Sequence, residues 1–422
     1  MEVKIEKLVY GGKGIGRLEN KTCFVPFVLP EEIVEVDIKK EKKSFLECQL
    51  KQVIKKSPDR IEPACKYFTY CGGCDYQHIP YEKQLQIKKD ILSETLSRIG
   101  KLQEIQIEKV IPSENPFFYR NKAQVKIKGE KVGFYKKESK EIVNIDYCYL
   151  LKEDINQSIK GLKEILPLLT FQPLEVHFYS SNQDDMLVRF IYPRRIKRFP
   201  LGIKHLKGFL SKNIKGIGIY RRKRDGTDEK VFTVGNTYGF EKIGEITFRV
   251  SIDSFFQVNR FQVKNLINEV VEEFKEGFYK NVLDLYCGVG TLTIPVAQYV
   301  ERITGVELNP YAVYDANHNR KINSIKNAKF LKMESREGIK LIDKESFDAV
   351  ILDPPRTGLS KTIIEKITAS SIKKVVYVSC NPSTLARDIN LFKEGGFELR
   401  KVKMIDMFPQ TYHIETIAVL EK

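Results

Sequence analysis

Residues 282–290 read VLDLYCGVG, a short apolar run followed by a turn with two glycines. Three further apolar runs follow it, ITGVEL, FDAVILD and VVYVSC, and they are separated by stretches with the spacing of amphipathic helices, such as residues 311–321 and 361–369. Strands that alternate with helices are typical of a doubly wound, mainly parallel sheet. Because such sheets bind ligands at the carboxyl ends of their strands, we expect the functional residues at those ends.

The chain before this region has a different pattern. From residue 3 to about residue 56, short alternating runs separated by Gly, Pro and charged residues predict five strands of a small barrel. Its glycines at positions 11, 12, 14 and 16 lack the Lys-Ser/Thr ending of a phosphate-binding loop, which favours a hairpin turn. We expect three domains: a barrel at 1–57, a β-rich central domain at 58–250, and an α/β domain at 251–422. A helix at 81–100, within the central domain, is a candidate to pack on the α/β domain.

Composition narrows the function classes. The 422 residues include 71 Lys and Arg against 55 Asp and Glu, a net charge of +16 that favours an anionic partner such as nucleic acid. Basic runs at residues 194–198 and 221–224 are either solvated faces or parts of an RNA or DNA footprint. The run without charges at residues 285–300 is shorter than the about 20 residues of a spanning helix, and the N-terminus lacks a signal-peptide core. We expect a cytoplasmic protein with reduced cysteines and no membrane span.

The first two strand ends suggest a cofactor site. The glycine turn follows Asp284, and Glu307 ends the next apolar run 23 residues later. Glycines allow a ligand to approach the backbone closely, and an acidic side chain there can hold ribose hydroxyls. The third glycine of a dinucleotide fingerprint would stand at Thr293 and is missing, which favours S-adenosylmethionine over NAD.

Three more candidate residues stand at or near strand ends. Asp353 opens Asp-Pro-Pro-Arg, in which two prolines hold the chain extended, and Arg356 stands where amino-group methylases carry an aromatic residue. Cys380 precedes a predicted helix, whose dipole is expected to lower the thiol pKa and favour a nucleophile over an inert buried cysteine. Glu415 shares a strand face with His413. A carboxylate in such an apolar segment has either a functional role or, as the alternative, a partner in a surface salt bridge.

Together these motifs resemble the RNA uracil-C5 methyltransferases, which make 5-methyluridine, over essentially the whole chain. The matching stretches are DSFFQVN at 253–259, DLYCGVG, DPPRTG, SCNP and the Pro-x-Thr-x-His-x-Glu run at 409–415, while residues 3–56 look like the OB-like, RNA-binding TRAM domain. The resemblance implies a Rossmann-like class I methyltransferase domain. It also implies that Cys380 is the nucleophile and Glu415 the base, and that four residues line the cofactor and uracil pocket: Gln257, Tyr286, Glu307 and Asp353.

The family chemistry agrees with these residue types. Uracil C5 is a poor nucleophile, but a thiolate added at C6 makes C5 reactive towards a methyl sulfonium. A base must then take the C5 proton so that the thiolate can leave. Because the target base is stacked in RNA, it must be flipped into the pocket. We expect the barrel and the basic runs to hold the RNA backbone, contributing affinity rather than chemistry, with Phe118 and Arg120 near the target.

Four cysteines are candidate metal ligands: Cys65, Cys71, Cys74 and Cys148. Their spacing fits tetrahedral zinc or an iron–sulfur cluster and does not decide between them. The resemblance implies a 4Fe-4S cluster, because cluster-bearing family members show this arrangement. The CxxxCxxC triad of radical methylases is not present. Cys23, Cys48 and Cys287 have no evident ligand set and are expected to be structural.

The target is the least determined feature. The barrel and the cysteine cluster favour large-subunit (23S) ribosomal RNA, with the tRNA T-loop as the alternative. Two other classes remain open: an enzyme of this fold acting on cytosine C5 or an adenine amine, and a non-catalytic RNA-binding protein in which Cys380 and Glu415 would be dispensable. No oligomer is indicated.

Overall fold

A computed structural model describes residues 1–102, 105–196 and 214–422. Its N-terminal part is a closed barrel with the strand order β1-β2-β3-β5-β4. Alternate side chains such as Val3, Ile5 and Val34 point into the barrel and are buried, which confirms the five predicted strands. The strands are β1 (Glu2–Val9), β2 (Lys13–Leu18), β3 (Lys21–Pro26), β4 (Ile33–Glu41) and β5 (Phe45–Lys55).

The central region is β-rich, as predicted, and is built on a seven-stranded sheet with the order β13-β12-β11-β10-β7-β8-β9. Its strands are β7 (Lys122–Lys128), β8 (Lys131–Tyr135), β9 (Ile142–Asn144), β10 (Glu175–Ser180), β11 (Met186–Tyr192), β12 (Ile214–Arg222) and β13 (Asp228–Gly235). Helix α2 (Glu153–Ile165) buries Ile155, Ile159 and Leu162 against this sheet. It was not predicted, although its apolar residues have helical spacing. A short 3-10 helix (Leu166–Leu168) follows it, and β14 (Tyr238–Ile243) and β15 (Ile246–Ser251) form a separate hairpin.

The C-terminal region is an eight-stranded sheet with the order β18-β17-β16-β19-β20-β22-β21-β6. The first five strands are parallel, and β22 runs antiparallel to β20. The short strand β6 (Lys109–Ile111) joins this sheet from far upstream. The other strands are β16 (Asn281–Leu285), β17 (Arg302–Glu307), β18 (Ala328–Lys332), β19 (Ala349–Leu352), β20 (Lys374–Ser379), β21 (Glu398–Ile405) and β22 (Glu415–Glu421).

Helices cover both faces of this sheet, as the doubly wound prediction requires. They are α3 (Val263–Lys275), α4 (Thr293–Val296), α5 (Pro310–Ile322), α6 (Ser335–Gly338), α7 (Lys361–Thr368) and α8 (Pro382–Glu394), with a 3-10 helix at Ile339–Asp343. Helix α1 (Tyr81–Gly100) precedes the central sheet in the chain but packs against α8. No helix of the described ranges is long and apolar enough to cross a membrane.

The barrel is joined to the C-terminal sheet by a continuous apolar core. This core runs from Val3 in the barrel through Tyr76 and Ile91 to Leu285 and Leu385. A buried ion pair fixes the segment that leaves the barrel, because Arg60, just after β5, donates to Glu32, just before β4, with Nη2 to Oε2 at 2.8 Å. The barrel is therefore packed against the C-terminal region.

Candidate active site

The carboxyl ends of β16, β17, β19 and β20 lie at one edge of the C-terminal sheet. Because β22 is antiparallel to β20, with Ser379 opposite Thr416, its first residue lies at this same edge. Glu415 therefore begins β22 beside Cys380, which follows the end of β20, and the negative charge of Glu415 raises the pKa of Cys380. The structure thus brings together two residues that lie 35 positions apart in the chain.

The predicted effect of the helix on Cys380 is wrong. Burial raises the pKa of the Cys380 thiol to about 11, and Glu415 adds to the rise. The start of α8 offers little compensation, because Pro382 has no N–H and the Ser383 N–H donates to Asn381 Oδ1 at 3.0 Å. Desolvation outweighs the helix dipole, so Cys380 is a neutral thiol in the free protein.

Three carboxyl groups at this edge also have raised pKa values. Burial raises the pKa of Asp353 to about 7 and that of Asp284 to about 8, and it holds the pKa of Glu415, which is 5% exposed, well above its usual range. Asp353 adds to the rise in both of the other acids. Several perturbed acids in one place are typical of a functional site.

Arg356 opposes the rise at the two candidate catalytic groups, because its charge lowers the pKa of both Cys380 and Glu415. Its Nη2 donates to His413 Nε2 at 3.2 Å, and burial together with Arg356 lowers the pKa of His413 to about 3. His413 is therefore neutral, which leaves Arg356 as the positive group facing the candidate nucleophile and base.

A cavity of about 540 Å³ opens at the ends of β16 and β17. Tyr286 and Glu307, two of the four residues predicted to bind the cofactor, line it. Glu307 is held in place because its Oε1 accepts from the Asn309 N–H at 2.7 Å and its Oε2 from the Gly288 N–H at 3.1 Å. Tyr286 has a φ of 67°, a left-handed conformation that costs energy in a residue with a side chain.

The other two predicted pocket residues lie outside this cavity lining. Asp353 is at the adjacent strand end, where its N–H points to Leu285 O at 3.5 Å. Gln257 is on the loop after β15, and its backbone carbonyl accepts from Asn121 Nδ2 at 3.1 Å. Sequence reasoning missed Ser335 and Arg336, which follow β18. The mixed run AKFLK of β18 carries too few apolar residues to be recognised as a strand end.

A second cavity, of about 450 Å³, lies in the central region, and all four candidate ligands Cys65, Cys71, Cys74 and Cys148 line it. All four are free thiols. Burial raises the pKa of Cys71 to about 11 and that of Cys74 well above the ordinary value, and the neighbouring cluster thiols add to both rises. Among the residues that the structure describes, no group of three or more His, Cys, Asp or Glu is arranged to hold a metal ion.

The predicted RNA contacts lie around this second cavity. Arg120 lines it, and the ring of Phe118 packs against Tyr147 and Tyr149 on either side of Cys148. The basic run at 221–224 is partly neutralised, because Arg221 pairs with Glu229 and Arg222 with Asp228 and Glu175. In the other basic run, residues 197 and 198 lie outside the described residues.

One residue at the first site was missed altogether. Tyr10, in the turn between β1 and β2, donates from its hydroxyl to the backbone carbonyl of Cys380 at 3.3 Å. The glycine-rich segment is the hairpin turn that the sequence favours. Nothing in the pattern indicates that this turn reaches the other end of the chain.

The chain is similar in sequence to known RNA methyltransferases over its whole length. A family profile described as tRNA (Uracil-5-)-methyltransferase matches residues 80–422, and the TRAM domain profile matches residues 1–51. The chain is 41% identical to an uncharacterized RNA methyltransferase of Aquifex aeolicus, covering 100% of this chain and 98% of the relative. It is 33% identical to one of Halalkalibacterium halodurans, covering 100% and 96%.

A solved structure is similar over the whole length. It is the crystal structure of Pyrococcus abyssi tRNA (uracil-54, C5)-methyltransferase in complex with S-adenosyl-L-homocysteine. The TM-score is 0.80 at 26% identity, and the match covers 100% of both chains. Barrel, central region and C-terminal sheet therefore occur together in a related fold.

Proposed function

Because the chain belongs to the tRNA (uracil-5-)-methyltransferase family, we propose that it methylates C5 of a uridine in large-subunit ribosomal RNA through a covalent adduct of Cys380. It is an S-adenosylmethionine-dependent RNA methyltransferase with an N-terminal TRAM domain, which removes the non-catalytic alternative. The observation that carries the proposed mechanism is the position of Cys380 beside Glu415 at the strand edge, next to the cavity lined by Tyr286 and Glu307.

The cavity lining fits the cofactor. Glu307 is anchored by two backbone N–H groups, yet each carboxylate oxygen keeps a lone pair that can accept from a ribose hydroxyl. Tyr286 supplies an aromatic wall beside it. Bound S-adenosylmethionine supplies the methyl group for C5. Asp353 and Gln257 lie outside this lining and remain proposed cofactor-binding residues, as the family resemblance implies.

The first step belongs to Cys380. With a pKa of about 11 its thiol is protonated in the free protein, so it must release its proton to solvent before the thiolate adds to C6 of the bound uracil. As the S–C6 bond forms, the C5=C6 π electrons move towards C4 and O4, which makes C5 nucleophilic. Arg356 favours this step because its positive charge stabilises the thiolate. The same charge faces Glu415, the other reacting group.

The last step belongs to Glu415. After methyl transfer, its carboxylate takes the C5 proton, the C5=C6 bond forms again and the S–C6 bond breaks. Its raised pKa makes it a stronger proton acceptor than an ordinary carboxylate once it is ionised. Arg356, rather than an aromatic ring, follows Asp-Pro-Pro, and this supports uracil over an adenine amine.

We also infer that Cys65, Cys71, Cys74 and Cys148 bind a 4Fe-4S cluster with a structural role. The four cysteines line one cavity, so their thiolates can reach a single bound group. Four thiolates suit either a zinc ion or a cluster that takes one thiolate at each iron, and the resemblance to cluster-bearing family members favours the cluster.

The cluster proposal predicts a specific composition. Protein purified without oxygen should be brown and contain iron and acid-labile sulfide, and Cys74→Ala should lose both. Cys48→Ala, which removes a buried barrel cysteine outside the cavity, should keep them. Stoichiometric zinc without iron in the wild-type protein would refute the cluster.

The RNA target is tested by mapping. 5-Methyluridine is located in ribosomal and transfer RNA from cells with and without the gene, and we expect a loss confined to 23S rRNA. The tRNA T-loop is the second candidate, because the Pyrococcus abyssi relative acts on tRNA uracil 54. A loss confined to tRNA would replace the first candidate with the second, and no loss in either RNA would refute both.

A further inference from the structure

The barrel reaches the candidate nucleophile through one side chain. The Tyr10 hydroxyl donates to Cys380 O at 3.3 Å, and the Tyr10 ring packs edge-on against Tyr412, with 5.3 Å between the ring centroids. We infer that Tyr10 is a positioning residue for methyl transfer, because it holds the main chain of Cys380 and thereby aims the thiol. This inference rests on the proposed role of Cys380.

The turn that carries Tyr10 is held firmly in place. Gly11 and Gly12 have φ angles of 104° and 75°, which a side chain rarely tolerates. A Cβ at Gly12 would lie 3.0 Å from the Asp75 Cβ, so the turn sits directly against the cysteine-bearing loop. Lys13 pairs with Glu138 at 3.2 Å on the same side. The hairpin tip is thus wedged between the central region and the catalytic edge.

Cys380 lies between a strand and a helix, which explains why the hydrogen bond from Tyr10 matters. The pairing of β20 with β22 ends at Ser379, so the sheet ladder does not extend to Cys380. Helix α8 begins only at Pro382. Cys380 therefore lies in the junction between a strand and a helix, where the hydroxyl of Tyr10 fixes its carbonyl. Misplacing a reacting group by about 1 Å can cost about 100-fold in rate.

The surroundings of Tyr10 keep it a hydrogen-bond donor. Burial raises its pKa, and Tyr412, Cys380 and Glu415 add to the rise, while Arg356 opposes it. The hydroxyl consequently stays protonated at neutral pH and does not act as a base. Tyr10 therefore acts by donating a hydrogen bond to Cys380. The exposed lysines of the barrel differ from it, because they would act on RNA affinity.

The test separates positioning from RNA affinity. Tyr10→Phe keeps the ring and its contact with Tyr412 but removes the hydroxyl. We expect kcat to fall about five- to tenfold, less than the about 100-fold cost of a full 1 Å misplacement, with KM for RNA unchanged and the melting temperature within about 2 °C of the wild-type value. Tyr299→Phe, an exposed tyrosine near the start of β17 and so at the opposite edge of the sheet, is the matched control and should behave as the wild type.

The measurements use full-length enzyme and an unmodified transcript of the RNA identified by mapping. In a Glu415→Gln background, adduct formation should slow by the same factor when Tyr10→Phe is added, which a merely structural residue would not cause. An unchanged kcat, or a raised KM with unchanged kcat, would overturn the inference. Cys380→Ala is assayed in parallel, since turnover in that variant would refute the proposed mechanism rather than the role of Tyr10.

Discussion

Two regions of this protein bury cysteine thiols, and burial acts on both in the same direction. It raises the pKa of Cys380 at the sheet edge and that of Cys71 in the central cavity to about 11. The neighbours differ, because Cys380 faces Glu415, Asp353 and Arg356, whereas Cys71 faces other cysteines. Burial therefore does not distinguish the proposed nucleophile from the proposed metal ligand, whereas the groups around each thiol do.

The two regions are also joined. The Asp75 and Tyr76 N–H groups, next to Cys74, donate to Gln410 O at 2.9 and 3.0 Å. Gln410 lies on the loop that leads to Glu415, and this loop is further fixed by Gln84 Oε1, which accepts from the Gln410 N–H at 3.0 Å. One short loop thus connects the cysteine-bearing segment to Glu415, the proposed base.

Removing one thiol from each region gives the sharpest contrast. Cys380→Ala should lower turnover by roughly 10⁴-fold or more, because C5 is never activated, while the melting temperature stays near the wild-type value. Cys74→Ala should lower the melting temperature and the iron content together, with activity falling as the fold weakens. Equal effects of the two substitutions on stability would break the comparison.

The loop that connects the two regions is also held at its start by a buried ion pair, which can be tested. Lys88 in α1 donates to Asp406 at 2.6 Å and to Phe408 O at 3.0 Å, and both charged side chains are at most 1% exposed. Lys88→Met should cost about 3–5 kcal/mol in the free energy of unfolding, because Asp406 is left buried without its partner.

Chemical denaturation measures this cost, and the double variant Lys88→Met/Asp406→Leu is the control. It should recover most of the lost stability, because no buried charge remains unpaired. A cost below about 1 kcal/mol for the single variant would show that the loop is not held by this pair.

The carboxyl groups around Cys380 predict a loss of stability between about pH 4 and pH 7, whereas the raised thiol pKa values in the cysteine cavity act only at alkaline pH. The folded pKa of Asp353, about 7, lies above its ordinary value of 3.8, so stability is full below pH 4 and is lost as the pH rises towards 7. Between pH 5.0 and 6.5 the wild-type protein should lose about 2 kcal/mol more than Asp353→Asn. Denaturation curves at both pH values check this, and parallel losses in the two proteins would contradict it.

A smaller effect is expected from the cation at the active site. Arg356→Gln should raise the pKa of Cys380 further, so that iodoacetamide alkylates this thiol about two- to threefold more slowly at pH 8.5. Peptide mass spectrometry follows the reaction at Cys380, with Arg400→Gln, an exposed arginine at the opposite edge of the sheet, as control. Faster alkylation of the Arg356→Gln thiol would contradict the assigned direction.

The sequence predicted those features that follow from local pattern. Apolar runs separated by helical stretches identify the parallel sheet, and its strand ends locate Cys380, Glu307 and Asp353. Alternation identifies the barrel in the same way. These predictions succeed because burial of one face imposes a fixed period on each element.

Contacts between distant segments could not be predicted. Strand β6 joins the C-terminal sheet from residue 109, and Tyr10 meets Cys380 across 370 positions. The direction of the Cys380 pKa was also wrong, because desolvation depends on every segment that packs around the thiol, whereas the helix dipole can be inferred from neighbouring residues alone.

The central claim, that Cys380 and Glu415 act on opposite sides of methyl transfer, is tested by trapping the adduct. Glu415→Gln keeps the shape of the side chain but cannot take the C5 proton, so methylated RNA should remain attached to Cys380. With substrate RNA and S-adenosylmethionine, a denaturing gel should show a slow band for Glu415→Gln that is absent when Cys380→Ala is added. A Glu415→Gln enzyme that turns over as fast as the wild type, with no slow band, would contradict the account.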